Sequence, residues 1–261
     1  MVKKSTIAQF KLSAANYVSD YQLISDDFIY FDRKHHFSSP MTDIDVFGRF
    51  WCLAICDFVP GQVGVHRLGA TTPLCGPHSL WIPPLSVVDW RLGAGQLVWS
   101  SYLSTAAVPS DLPKQPTALF GIPSKRFETP TELFAHVRGA SFDCSIDKIE
   151  QSNPLALRLK EKIDRDFSSN KSFQDFADEL RVSHSAMTRA FRRCFDISPI
   201  AYRNKMRIFE AMSLLLLKGE RSTEACFDVG FVDISRFNKQ FRKQMKSVPS
   251  QYNSCKKSLD R

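Results

Sequence analysis

The 261-residue chain lacks most of the features that would make it an enzyme, a membrane protein or a secreted one. No stretch approaches the roughly 20 uninterrupted apolar residues that a membrane-crossing helix needs. The opening segment, MVKKSTIAQFKLSAANYVSD, has two lysines but no continuous apolar core, so it does not read as a secretory signal. The seven cysteines (Cys52, Cys56, Cys75, Cys144, Cys194, Cys226 and Cys255) are odd in number and scattered. No paired C-x-x-C framework is present, which points to reduced thiols and a cytoplasmic protein that stays off the membrane. Cys75-x-x-His78 and Cys52-x-x-x-Cys56 lack the further ligands of a structural zinc site, so neither a metal nor another cofactor is expected. No nucleophile elbow, phosphate-cradling glycine loop or compelling acid–base pair occurs, so catalysis is not expected.

Charge is missing from one half only. Residues 1–145 carry 12 Lys+Arg against 12 Asp+Glu, whereas residues 146–261 carry 23 against 15, so the whole formal charge of +8 lies in the second part. The second part is also poor in turn formers: 11 of the 14 prolines, 9 of the 11 glycines and all 4 tryptophans lie in the first. These shifts divide the chain into two units, 1–145 and 146–261. The basic unit suits a polyanion, because each Lys or Arg placed on a phosphate releases a condensed counterion.

What the basic half does have is helix punctuation. Asn153-Pro154, Ser172, Ser183, Ser198-Pro199 and Ser222 each read as an N-terminal cap. Leu155, Leu159, Ile163 and Phe167 stand four apart, as one buried stripe requires. SFQDFADEL and HSAMTRAFRRCF then read as a short helix, a tight turn and a second helix with an Arg-bearing outer face, the helix-turn-helix layout. Residues 199–218 read as a connecting helix that is apolar around most of its circumference and must be covered on more than one side. A second copy of the device follows: TEACFDV, a turn needing left-handed backbone at Gly230 and plugged by Phe231, then DISRFNKQFRKQMK. Met187/Phe237, Phe191/Phe241, Pro199/Pro249 and Tyr202/Tyr252 are all separated by 50 residues. The connecting helix would be about 30 Å long at 1.5 Å per residue. Successive major-groove faces on one side of B-DNA lie about 34–36 Å apart. The spacing therefore points to double-stranded DNA.

Residues from roughly 155 to 253 resemble the AraC/XylS family of bacterial transcription regulators. The resemblance is carried by Ala225, Gly230-Phe231, Ser235, Phe237, Phe241, Pro249 and Tyr252. Leu180, Ser183, Phe191, Pro199, Tyr202 and Arg207-x-x-x-Ala211-x-x-Leu214-Leu215 support it. The resemblance implies base contacts from Ser185, Thr188 and Arg189 in the first copy, and from Ile234, Ser235 and Lys239 in the second. Arg192, Arg193, Arg236, Asn238, Arg242 and Lys243 remain for phosphates, which position a protein without specifying sequence. Ile234 could read only a thymine methyl, and Asp233 would repel phosphate unless it caps its helix. The family often has Gly where Asp196 and Lys246 stand; Lys tolerates left-handed backbone poorly.

The neutral half reads as many short strands broken by Pro and Gly: RFWCLAICDF, QVGVHRL, SLWIPPLSVVDWRL and GQLVWSSYLS. A helix over TPTELFAHVRGASF follows them. The resemblance implies an α+β two-domain chain: a cupin-like β-barrel, then an all-α domain with two helix-turn-helix motifs joined by a linker helix. It further implies a regulator, in tendency an activator, that works with RNA polymerase and forms a homodimer through the N-terminal half. Catalytic cupins bind metal through His-x-His, whereas His35-His36, His66 and His78 form no such motif. Trp51, His66, Arg67, Trp81, Trp90 and Trp99 are candidates to line a pocket for a small-molecule effector, apolar or aromatic in character. The alternative is that the tryptophans are ordinary core and the barrel only dimerises. A reading of another class also stays open, a cupin-like enzyme or sensor whose basic half is a partner-docking module.

Overall fold

The computed structural model describes residues 8–67, 69–148 and 153–253; the first seven residues and Cys255 lie outside them. Ten strands, all paired antiparallel, make the first half: β1 (Ala8–Ser13), β2 (Tyr17–Ser25), β3 (Phe28–Phe37), β4 (Met41–Val46), β5 (Trp51–Arg67), β6 (Ala70–Ile82), β7 (Val87–Leu92), β8 (Gly95–Ser104), β9 (Thr117–Phe120) and β10 (Phe142–Ser145). Helix α1 (Pro130–Gly139), capped by the Thr129 side chain, stands between the last two. The helical half follows with α2 (Pro154–Asp166), α3 (Phe173–Leu180), α4 (His184–Phe195), α5 (Pro199–Ser213), α6 (Ser222–Asp228) and α7 (Ile234–Met245).

The strands do not close into the expected barrel. Their order is β1-β2-β3-β8-β5-β6-β9-β10, with β7 joining β5 to β4, so β1, β4 and β10 are edges. The apolar interior is sealed by a helix instead of a closing strand: Phe209 of α5 packs its ring against Phe47 and Phe50, at 5.3 and 6.2 Å between centroids. Two of the sequence-predicted strands also prove to be one. RFWCLAICDF and QVGVHRL fuse into the long β5, which pairs with β6 on both sides of a register shift between Phe58 and Val63. A bulge absorbs Pro60 and Gly61, which the sequence reading takes as a break.

Strand alternation sorts side chains to two faces. Trp51, Leu53, Trp81 and Tyr102 face α1 and pack with Leu133, Phe134 and Val137. Cys52, Leu80, Ile82 and Leu103 face the other way, into a core continuous with the helical half.

In that half the capping serines act as the sequence leads one to expect: Ser172, Ser183 and Ser198 accept from the backbone N–H three residues on, as does Asn153. α6 differs. Its cap is Arg221, one residue before Ser222, and the Glu224 carboxylate accepts the Arg221 N–H at 2.9 Å. Glu at the third helical position thereby satisfies the N–H of the cap residue itself, the reach-back half of a capping box. α5 continues through a π-helical turn, Leu214–Lys218, and stops at Gly219.

Gly230 adopts φ +86°, and a Cβ there would lie 2.1 Å from the Ser168 carbonyl oxygen. That carbonyl belongs to the segment after α2, which buried Arg207 fixes by donating to Phe167 O at 2.6 Å and Ser169 O at 2.9 Å. Substitution G230A combines a left-handed backbone with a backbone clash, each destabilising by 1–3 kcal/mol. Chemical denaturation is expected to show a loss of about 3 kcal/mol or more, and a loss under 1 kcal/mol would mean the turn is not seated on residue 168.

Candidate nucleic-acid interface and adjoining cavity

α3 and α4 meet through a three-residue turn in which Arg181 adopts φ +57°; α6 and α7 meet through a longer one containing Gly230. In each pair the second helix buries an aromatic row and turns a basic face outward. Met187, Phe191, Cys194 and Phe195 are buried on α4, and Phe237, Phe241 and Met245 on α7. Phe237 and Phe241 lie 5.6 Å apart, and Tyr252 closes the end of the row edge-on to Phe241. The four-residue Phe spacing therefore anchors the helix and leaves Lys239, between the two rings, to solvent.

Ser185, Arg189, Arg192 and Arg193 are exposed on α4, with Thr188 half-buried. On α7, Ser235, Arg236, Lys239, Arg242 and Lys243 are exposed and Asn238 is half-buried. Ile234 is half-buried and packs against the core, so only part of its side chain faces outward. Asp233 caps α7, its carboxylate accepting the N–H groups of Ser235 at 2.9 Å and Arg236 at 3.1 Å. Among the described residues, ion pairs hold Lys162, Arg165 and Lys171 on the flank of α2 and α3. None holds a cation of the α4 or α7 outer faces.

Behind α7 lies a cavity of about 250 Å³ between the sheet and the helices. Its walls come from strands β2 to β8, from Phe209, Met212 and Leu216 of the α5 rod, and from Met245 and Lys246 at the end of α7. Of the six residues named as pocket candidates, Trp90 and Trp99 line it. Trp51 and Trp81 lie on the opposite face under α1, where their indoles donate to Ala106 O and Pro113 O. His66 and Arg67, at the end of β5, are outside the cavity wall, with His66 beside Thr71.

Sequence reasoning misses the polar residues of the wall. Arg33 donates to Ser19 Oγ at 2.7 Å and Tyr21 OH at 2.9 Å, and its guanidinium lies 4.2 Å from the Tyr17 ring centre and 5.2 Å from that of Trp99. His35 Nε2 and Asn16 Oδ1 are buried without a hydrogen-bond partner. Burial, with Arg33 nearby, lowers the His35 imidazole to about 4. Burial also pushes the Asp45 carboxyl up to about 6; Asp43 adds to the rise, while Lys205 opposes it. Period-two alternation, Tyr17 and Tyr21 on β2 and Phe31, Arg33, His35 and Phe37 on β3, is the signal that would have placed these residues on one wall.

A family model described as "Helix-turn-helix domain" matches residues 176–254, which contain α4, α5, α6 and α7. These residues match a helix-turn-helix domain of the AraC type. The transcriptional regulatory protein HptR of Staphylococcus aureus is 25% identical over 111 residues, 42% of this chain and 43% of that protein. The chain thus spans less than half the length of the curated relatives it matches. The C-terminal domain of AraT, a response regulator from Geobacillus stearothermophilus, is 28% identical and covers 40% of this chain and 88% of its own, at a TM-score of 0.39. Beyond the AraC-type domain, a structure of ToxT from Vibrio cholerae matches across 94% of this chain and 98% of its own, with 13% identity and a TM-score of 0.51. That likeness concerns the fold: a sheet half followed by a helical half.

Asp45 supplies a test of the cavity's polarity. Its folded-state pKa lies above the ordinary 3.8, so stability is fully present below about pH 4 and is lost as pH rises through about 6. D45N removes the titration yet can still accept from Trp90 Nε1, now 3.0 Å from the carboxylate. The stability of D45N relative to the wild type is therefore expected to improve by ~1–3 kcal/mol between pH 4 and pH 7. A difference that does not change with pH would place Asp45 in contact with bulk water.

Proposed function

We propose that the chain is a sequence-specific regulator of transcription that grips double-stranded DNA with α4 and α7, one helix in each of two successive major-groove faces. One observation carries the reading: two helices fifty residues apart each present exposed cations that no acidic side chain of the described residues neutralises. A phosphate backbone is the partner that such faces suit. Ser185, Thr188 and Arg189 would touch bases from α4, and Ser235 and Lys239 from α7, with Ile234 against a thymine methyl. Arg192, Arg193, Arg236, Asn238, Arg242 and Lys243 would take phosphates. Asp233 is no obstacle, since its charge is spent on the N-terminus of α7. The family resemblance supports activation, contact with RNA polymerase and homodimerisation through residues 1–145 as parts of the same reading.

Arginine pairs bidentately with guanine, so R189A is expected to relax discrimination at one base pair by ~1–3 kcal/mol. R192A is expected to weaken binding to all duplexes alike and to flatten the salt dependence. Gel-shift titrations on a duplex selected by the full chain from a randomised pool, and on single-base variants of it, make the measurement. Equal, uniform losses from both variants would mean that the reading face is assigned wrongly.

The cavity supports control by a small molecule. Its wall is mostly apolar and aromatic but contains Arg33, whose hydrogen-bond partners are hydroxyls rather than carboxylates. An apolar molecule with an acidic group fits that chemistry; ToxT, similar in fold, has been solved bound to an unsaturated fatty acid. Trp90 and Trp99 fluorescence should report the occupant. Aliphatic monocarboxylates are expected to bind at least tenfold more tightly than the matched alcohols. R33M should remove that preference and R33K should retain part of it. Equal binding of acid and alcohol by the wild type would sink this assignment.

A further inference from the structure

Both outward-facing helices end on a side-chain-bearing residue in left-handed backbone, Asp196 after α4 (φ +55°) and Lys246 after α7 (φ +54°). Glycine is the usual occupant of such a cap, because a Cβ is strained there. In this chain both caps are tied to the sheet half, the first of them through Lys148.

At the first cap, Lys148 Nζ lies 2.7 Å from Asp196 Oδ2 and 2.9 Å from Asp89 Oδ2 on β7. Lys148 and Asp89 are 3% and 1% exposed, so this ammonium has left water for two carboxylates. Burial alone would lower the Lys148 pKa, but the two carboxylates outweigh it and hold it above the usual lysine range. Asp89 is also paired with Arg91, and the Lys148 backbone N–H donates to Val87 O at 2.9 Å. The segment after β10 is thereby fixed to β7 and to the end of α4 at once. At the second cap, Tyr17 of β2 donates to Met245 O at 2.6 Å and lies 2.8 Å from the Tyr252 hydroxyl, and Ala15 N–H donates to Lys246 O at 3.4 Å.

We infer that Asp89, Lys148 and Asp196 form a positioning clamp, by which the sheet half sets the direction of α4 relative to α7. Asp196 is a positioning residue that acts through Lys148, and its carboxylate explains why the cap is not glycine. The inference rests on the reading of α4 and α7 as DNA-gripping helices, but the clamp itself can be tested without DNA. Asp196 is the solvent-exposed member, with 59% of its side chain accessible, so it can be replaced without opening the core.

The test compares the full-length wild type with D196G, which relieves the strained cap, and D196N, which keeps a residue tolerant of left-handed backbone but removes the charge. Amide exchange by NMR should show the Lys148 N–H exchanging at least about tenfold faster in both variants, while the amides of Met187 to Phe191 inside α4 keep their protection. A merely local cap would give the opposite: D196G equal to or better protected than the wild type, and D196N unchanged. Either of those results overturns the clamp. A second arm uses the selected duplex with two base pairs inserted between its half-sites. The wild type should lose at least tenfold in affinity and the variants less than threefold; equal losses in all three proteins overturn the clamp as a spacing device. Should the wild type retard no duplex at all, the DNA reading fails, and the exchange comparison still decides whether the clamp exists.

Discussion

The arrangement depends on how α5 is covered. A helix apolar around most of its girth cannot lie on a surface, and here every side of it is used. Tyr202, Met206, Ile208, Ala211 and Met212 are buried, and the π-helical turn after them buries Leu214 to Leu217. The two helix pairs pack around its two ends, and β4 with the loop after it covers what remains: Phe47 and Phe50 meet Phe209, Glu210 accepts the Arg49 N–H at 2.7 Å, and Lys205 pairs with Asp43 at 2.7 Å. Gly48 is what allows the close approach, since a Cβ there would fall 2.4 Å from the Glu210 carboxylate. Fully burying such a ring is worth roughly 1.5–3 kcal/mol, and the half-buried Phe209 gains part of that, so removing the sheet would leave the linker with an uncompensated apolar face. The rod that spaces the outward-facing helices is thus also the wall against which the sheet half docks.

Buried polar groups give the docking its direction. Apolar packing alone would tolerate sliding, because it has no preferred register. Lys160 has one partner in each half, donating to Leu85 O at 3.0 Å and to the Asp164 carboxylate at 2.5 Å, and Tyr202 holds the other oxygen of Asp164 at 2.7 Å. Arg49 reaches across to Arg165 O and lies over the Phe167 ring. A buried donor left unpaired is costly, so losing the Lys160–Leu85 bond penalises displacement along or across the interface, whereas the exposed Arg49 contact adds little.

The helical half is legible because its signals are local. A Ser before an apolar run has one structural use, and three of the four serines named as helix caps act as such. The fourth, Ser222, is the first residue of α6 instead: Glu224 reaches back to the Arg221 N–H and sets the cap one residue earlier, a shift that sequence alone leaves undecided. The sheet is less legible because facing depends on register. Trp51 and Trp99 look alike as letters, but they sit on strands of different parity and point to opposite faces. A one-residue difference in pairing exchanges core and cavity. The bulge between Phe58 and Val63 adds to the difficulty, since it keeps as one strand what Pro60 and Gly61 divide on paper. Barrel closure is less legible still: whether an edge is paired or capped depends on α5, more than a hundred residues along the chain.

The cavity owes its place to the same long-range packing. It forms where an open sheet meets a helix that cannot close it completely, so its wall is shared between β2, β3 and β8 on one side and Phe209, Met212, Leu216 and Met245 on the other. These helical residues are the ones that seat α5 and the end of α7 against the sheet. The second cap, through Met245 and Lys246, therefore borders the cavity, whereas the first cap, held through Lys148, lies outside the cavity wall. The two ends of the linker differ in kind: one is fixed by buried charge, and the other borders a space whose contents can change. On the DNA reading proposed above, a shift at Met245 would change the tilt of α7 relative to α4, and in a two-helix grip on a duplex such a change alters affinity without altering a single contacting side chain.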